Sequence, residues 1–145
     1  RDDVREELSK ADIVVGSLDA PNPDLFEEVN EPHPSLDFEE IVQGMKDFAR
    51  DFDGMFSLEV MFVPQTREFS REIAEISRSI GPDEVQINTP LRKSPVEPLT
   101  PVELEKVRKS FSGLKTRSVF ESEKPKIGKI IGKEKLDLLK RPDEE

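Results

Sequence analysis

Residues 13–34, IVVGSLDAPNPDLFEEVNEPHP, begin as a nearly continuous apolar run and then break into small polar residues, prolines and asparagines. A strand reads this way when both of its faces are covered, as in a parallel sheet. In α/β proteins, ligands bind in the crevice beyond the carboxyl ends of such strands. The pattern recurs twice, at 56–63 closed by Pro64 and at 84–89 closed by Pro90. Between these runs, 36–52 places Phe38, Ile41, Val42, Met45, Phe48, Ala49 and Phe52 at helical spacing. Asp37 and Glu40 suit a capping box at its start, and Asp53-Gly54 supplies the stop. Residues 67–80 put Phe69, Ile73, Ile76 and Ile80 on one face ahead of Gly81-Pro82. Thr100-Pro101-Val102-Glu103 opens a further helix whose apolar face is Leu104, Val107, Phe111 and Leu114. A short polar helix at 2–10 precedes the first strand, expected over 11–19, and 116–121 offers a last strand. The expectation is an α/β fold, a partial parallel (βα) barrel of three to four strands with helices on one face.

The length of 145 residues suits one domain, and 34% hydrophobic against 37% charged residues implies a modest core. Prolines cluster at 21–34 and 90–101, which are read as loops. The barrel portion is expected over 1–121, and the Lys/Glu-rich stretch 122–145 as a charged tail with a short helix at 133–140. A net charge of −10 argues against nucleic-acid binding, since a phosphate backbone needs a basic face. The absence of cysteine excludes disulfides and thiolate metal sites within these residues. No apolar run approaches the roughly 20 residues of a membrane span, and no signal peptide opens the sequence. A cytoplasmic protein is the default expectation. The sequence opens on Arg1 inside what reads as the end of a helix, so a natural start upstream is expected.

Strand side chains alternate between faces with a period of two. Val14, Gly16 and Leu18, with Leu58, Val60 and Phe62 and with Val85 and Ile87, make an apolar set that should pack on the helices. Ser17, Asp19, Ser57, Glu59, Gln86 and Asn88 then fall together on the opposite face. The inner face of a closed barrel is usually filled by bulky aliphatic residues. A polar inner face is a poor core but suits a ligand chamber, and buried carboxylates such as Asp19 and Glu59 need partners or a ligand. Arg92 could bring a positive charge to the rim. Each residue also has a plainer role. Asp19 could cap the loop before Pro21, and Glu59 could sit on a wet sheet face. Gln86 and Asn88 could satisfy one another, and Arg92 and Lys93 could be solvated charges. His33, the sole histidine, lies between two prolines and reads as a loop or packing residue. No Gly-rich phosphate loop, zinc-type His/Cys spacing or nucleophile elbow is present.

The order SLDA, FEEVNEPHP, LDFEEIVQGMKDF, LEVMFVP and VQINTP-LR resembles the second half of the radical S-adenosylmethionine (SAM) superfamily core, over about 11–92. Within it the likeness is to iron–sulfur oxidoreductases related to the wybutosine-synthesis enzymes. The resemblance implies a partial (βα)6 barrel whose fourth, fifth and sixth strands match the three runs here. It also implies SAM contacts. Ser17 and Asp19 would meet the ribose or methionyl moiety, Glu59 and the stretch to Pro64 would contribute to the pocket, and Asn88 to Pro90 would border the adenine. Glu59 and Arg92 would face SAM or substrate.

The departure is large. The family holds its 4Fe–4S cluster on a Cys-x-x-x-Cys-x-x-Cys loop and grips the SAM amino group with a Gly-Gly-Glu element, and both are absent here. The sequence therefore reads as part of a radical SAM enzyme whose SAM and cluster chemistry needs a missing N-terminal half-barrel. Its substrate is unspecified, and it is inactive alone. The alternative is a cluster-free, non-enzymatic binding or assembly module. A third reading, a TIM-type hydrolase or aldolase fragment using Asp19 and Glu59 as acid and base, lacks a matching catalytic Lys or His. A half-barrel should also have an unpaired strand edge, open to self-association or covered by the 116–121 strand.

Overall fold

The computed structural model describes residues 2–91 and 95–121. Arg92, Lys93, the expected tail at 122–145 and its helix at 133–140 lie outside the described residues. Four strands, β1 (Ile13–Ser17), β2 (Met55–Met61), β3 (Glu84–Asn88) and β4 (Thr116–Ser118), form one sheet in the order β1-β2-β3-β4. Every neighbouring pair is parallel. Five helices accompany them: α1 (Asp2–Leu8), α2 (Pro23–Asn30), α3 (Phe38–Asp51), α4 (Ser70–Ile80) and α5 (Pro101–Arg108). A 3₁₀ turn, Arg67–Phe69, leads into α4, and another, Lys109–Phe111, continues α5. The expected α/β fold with a parallel sheet is the observed one.

The core lies on one face of the sheet. Leu58, Val60 and Phe62 of β2 and Val85 and Ile87 of β3 are all 0% exposed. They meet Phe38 and Val42 of α3, Ile73 and Ala74 of α4, and Leu104 and Val107 of α5 in one cluster. Rings interlock at its ends, with Phe62 edge-on to Phe111 at 6.0 Å and Phe48 edge-on to Phe56 at 5.6 Å. Asp37 caps α3 by accepting from the Glu40 amide at 2.9 Å. Thr100 and Glu103 complete a reciprocal capping box on α5. Gly81, at φ 74°, ends α4 in the left-handed conformation that glycine adopts without strain.

The expected loop at 21–34 is corrected by α2. Asn22 accepts from the Leu25 amide at 3.0 Å and Pro23 opens the helix, so Asn-Pro here is a helix start and not only a turn. Phe26 then packs on Phe38 with ring centroids 5.6 Å apart. Other bounds tighten. The first strand spans 13–17 instead of 11–19, the second helix 38–51 instead of 36–52, and the last strand only 116–118.

The turn between α3 and β2 depends on Gly54. A Cβ there would lie 2.5 Å from a Phe52 ring carbon and 2.7 Å from the Asp12 carbonyl oxygen. That carbonyl also accepts the Met55 amide at 2.9 Å, which starts the β1–β2 ladder. Gly54→Ala is expected to destabilise the fold by about 1–3 kcal/mol through overpacking. Urea denaturation measures this, and an unchanged midpoint would contradict the contact.

Candidate functional site

Helices cover one face of the sheet, and on the other the registers align polar side chains in rows. Ser17 is the Cα partner of Glu59, and Glu59 of Gln86. Gln86 in turn partners Arg117. One row down, Val15 partners Ser57 and Ser57 partners Glu84. One row up, Met61 partners Asn88. Ser17, Ser57, Glu59, Gln86 and Asn88 therefore share a face, as alternation predicts, and Asp19 reaches the same end of the sheet from beyond β1.

The upper part of this face, at the carboxyl ends of the strands, is acidic. Asn88 Nδ2 donates to Glu59 Oε1 at 2.6 Å. Both line a cleft of about 540 Å³ with Met61, Thr89, Pro90 and Leu91. Asp19 Oδ1 accepts from the Met61 amide at 2.8 Å, and Asp19 Oδ2 from Asn30 Nδ2 at 3.2 Å. Asp19 thus stands in for a strand partner where β1 has ended and β2 continues, and it ties the end of α2 to the sheet. Burial pushes its carboxyl above the ordinary value. The bonds from Met61 and Asn30 oppose that shift, while the nearby Glu59 charge adds to it. Among the described residues no Lys or Arg forms an ion pair with Asp19 or Glu59.

The lower part is neutralised internally. Glu84, 3% exposed, is held by Lys115 Nζ at 3.2 Å and Arg117 Nε at 3.6 Å. Beside it the Ser57 hydroxyl, 1% exposed, has no hydrogen-bond partner among the described residues. The role of Glu84 was readable in principle, because Lys115 and Arg117 are two residues apart and so share a strand face. It could be identified only once β4 was placed beside β3. His33 bonds locally to Ser35, in the loop after α2, and stands apart from this cluster. Pro90 borders the cleft, and Arg92 lies outside the described residues. No group of three or more His, Asp or Glu suited to a metal occurs among the described residues. No helix there is long and apolar enough to cross a membrane.

These features define a parallel α/β sheet with one covered face and one polar face whose carboxyl ends form a cleft. No family model matches the chain. It is 31% identical over 155 residues to the GTPase Obg of Brachyspira hyodysenteriae, a match covering 99% of this chain and 23% of that protein. It is 28% identical over 142 residues to the UPF0026 protein MJ1312 of Methanocaldococcus jannaschii, covering 96% of this chain and 40% of that one. The UPF0026 protein slr1464 of Synechocystis is 35% identical over 95 residues, covering 65% of this chain and 36% of its own length. The chain spans well under half the length of these curated relatives. Among solved structures, a radical SAM methyltransferase from Sphaerobacter thermophilus superposes with a TM-score of 0.59 at 15% identity. The match covers 80% of this chain and 37% of that one. The two share a fold over that span.

The Asp19 geometry gives a test with a defined sign. Asp19→Ala leaves the Met61 amide without its acceptor and is expected to cost about 1–3 kcal/mol. Asp19→Asn keeps an acceptor for that amide. A raised carboxyl pKa in the folded state makes the protonated form the stabilising one. That stabilisation is fully present below the unfolded pKa and is lost as pH rises through the raised folded value. The stability of Asp19→Asn relative to wild type should therefore rise with pH across that acid window. Urea denaturation at a series of pH values measures it, and parallel profiles for the two proteins would rule the account out.

Proposed function

We propose that these residues are the C-terminal part of a radical SAM core barrel and supply one side of its SAM and substrate chamber. The barrel portion would be 1–121, and the partner the N-terminal half-barrel of the same parent protein. The observation that carries this reading is the coincidence of fold and face. A radical SAM-like sheet presents Ser17, Asp19, Glu59 and Asn88 on its open face at the carboxyl ends of its strands, where such folds bind ligands.

The donor set suits SAM and does not suit an iron–sulfur cluster. The Glu59 carboxylate can accept from hydroxyl or ammonium groups, and its negative charge suits a cationic sulfonium. The Asn88 amide donates to Glu59, and its carbonyl oxygen is an acceptor that a base edge could use. Ser17 is exposed on the same row and can donate or accept. With no cysteine in the sequence, nothing here holds a 4Fe–4S cluster, and no catalytic residue is assigned. SAM, when bound to a complete parent, supplies the reactive adenosyl group. These residues would bind and orient it and keep water from it. Kinship with the wybutosine-synthesis enzymes and a cytoplasmic location are parts of this proposal that rest on the sequence alone. The GTPase name of one relative is not carried over, because the chain lacks the G-x-x-x-x-G-K-Ser/Thr loop that cradles phosphates. A cluster-free binding module is the second reading, favoured by the lack of cysteine.

Calorimetric titration of SAM into the longest natural protein containing these residues tests the proposal. Glu59→Gln and Asn88→Ala should each weaken binding by about tenfold or more, the scale of a hydrogen bond to a charged group. Affinity unchanged by both, or a gene lacking the three-cysteine loop and Gly-Gly-Glu upstream, would overturn it in favour of the binding module.

A further inference from the structure

β4 adds positive charge to the polar face. It follows the three runs that resemble the radical SAM core and pairs beside β3. Arg117 lies in the row Ser17–Glu59–Gln86–Arg117, two strands from Glu59 and so about 10 Å from it between Cα atoms. Val119, two residues on, continues the ladder by donating its amide to the Ile87 carbonyl at 3.2 Å. Val119 also lines the cleft with Glu59, Asn88 and Leu91. Arg117 therefore stands one row below the cleft wall, on the same face of the sheet.

Neutralising Glu84 takes one cation, and two reach it. The side chains of Lys115 and Arg117 stay 67% and 62% exposed. Arg117 approaches Glu84 only through Nε at 3.6 Å, too long for a hydrogen bond. Its two Nη groups, part of the fork that grips a carboxylate or phosphate through parallel bonds, have no partner among the described residues. Other arginines are engaged. The Arg50 guanidinium bonds Asp47 and Asp51, and that of Arg67 bonds Glu68 and Glu103. Glu121 also feels the Arg117 charge, but its oxygens are taken by Arg108 and the Ser118 amide. The open face thus has two electrical ends: the carboxylates Asp19 and Glu59 toward β1 and β2, and surplus positive charge at β4. We propose that Arg117, with Lys115 beside it, is an anion subsite for the carboxylate or phosphate group of a small-molecule substrate that reaches into the cleft. A cleft of about 540 Å³ has the size of a small-molecule site. A net charge of −10 repels an extended polyanion such as nucleic acid, whereas a single anionic group meets only the local cations. Calling this ligand the substrate rests on reading the face as one side of a SAM chamber. The anion subsite itself rests on the β4 residues alone.

Titration of inorganic phosphate, and separately of succinate, into the longest natural protein containing these residues tests the proposal. Ionic strength is held constant, and amide and arginine Nε NMR resonances are the readout. Resonances of Lys115, Arg117 and Val119 should shift and saturate with at least one of the two anions, and the tighter anion names the group. Arg117→Gln should weaken that binding at least tenfold, and Arg117→Lys should restore part of it. Glu84→Gln removes the competing carboxylate and should tighten binding severalfold. Lys115 still holds Glu84 in Arg117→Gln. Should that variant nevertheless unfold, the gain in Glu84→Gln decides. Lys106→Gln, on an exposed lysine of α5 away from this face, should change nothing. Shifts that do not saturate, an equal loss in Lys106→Gln, or no gain in Glu84→Gln overturn the proposal. Loss of SAM affinity in Arg117→Gln also overturns it, since the subsite would then belong to the carboxylate of SAM. Arg117-dependent anion binding in a protein that does not bind SAM would sink the functional reading and leave this subsite standing.

Discussion

Burial of the β2 side chains Leu58, Val60 and Phe62 is the constraint on which the rest of the structure depends. Each is fully covered, and each contributes about 1.5–3 kcal/mol on burial by area. Because strand side chains alternate, committing these three to the helices commits Ser57, Glu59 and Met61 to the other face. Parallel pairing extends that choice to β3, where a slip of one residue would turn the fully buried Val85 and Ile87 outward, whereas β1 already leaves Ile13 and Val15 exposed. The polar face is thus the necessary complement of the core.

That face has two regimes set by charge. Low on the sheet, Glu84 is buried and its charge is answered by Lys115 and Arg117. Higher up, Asp19 and Glu59 have hydrogen-bond donors but no cation among the described residues. Carboxylates in such a setting are costly unless donors or positive charge reach them, and here amides of Met61, Asn30 and Asn88 do so in part. The lower region closes the sheet, and the upper one is left able to meet a cationic or donor-rich ligand. Asp19 has a structural role whatever meets that face, because the bonds that hold it also fasten α2 over the strand ends.

Much of this was readable from the residues. The three apolar runs, the helix stops at Gly54 and Gly81, the Thr100 capping box and the face shared by Ser17, Glu59 and Asn88 all follow from local periodicity and cap chemistry. α2 was hidden because Asn22-Pro23 serves equally as a turn and as a helix start, and only the contact of Phe26 with Phe38 decides between them. The bonds of Asp19 to Met61 and Asn30 were hidden for a different reason. Met61 is 42 residues away in sequence, and no local pattern marks such a pairing.

The sequence by itself determined which residues are apolar in which rhythm, and therefore the parallel α/β class, the two faces and the impossibility of binding a cluster through cysteine. Only the tertiary structure decided who meets whom: Glu84 with Lys115 and Arg117, Asp19 with Met61, and β1 with β2 as its one strand neighbour among the described residues. Periodicity is a property of a segment and can be read from it. Pairing, edge exposure and the electrostatic answer to a buried carboxylate arise between segments, and they exist only once the chain has brought those segments together.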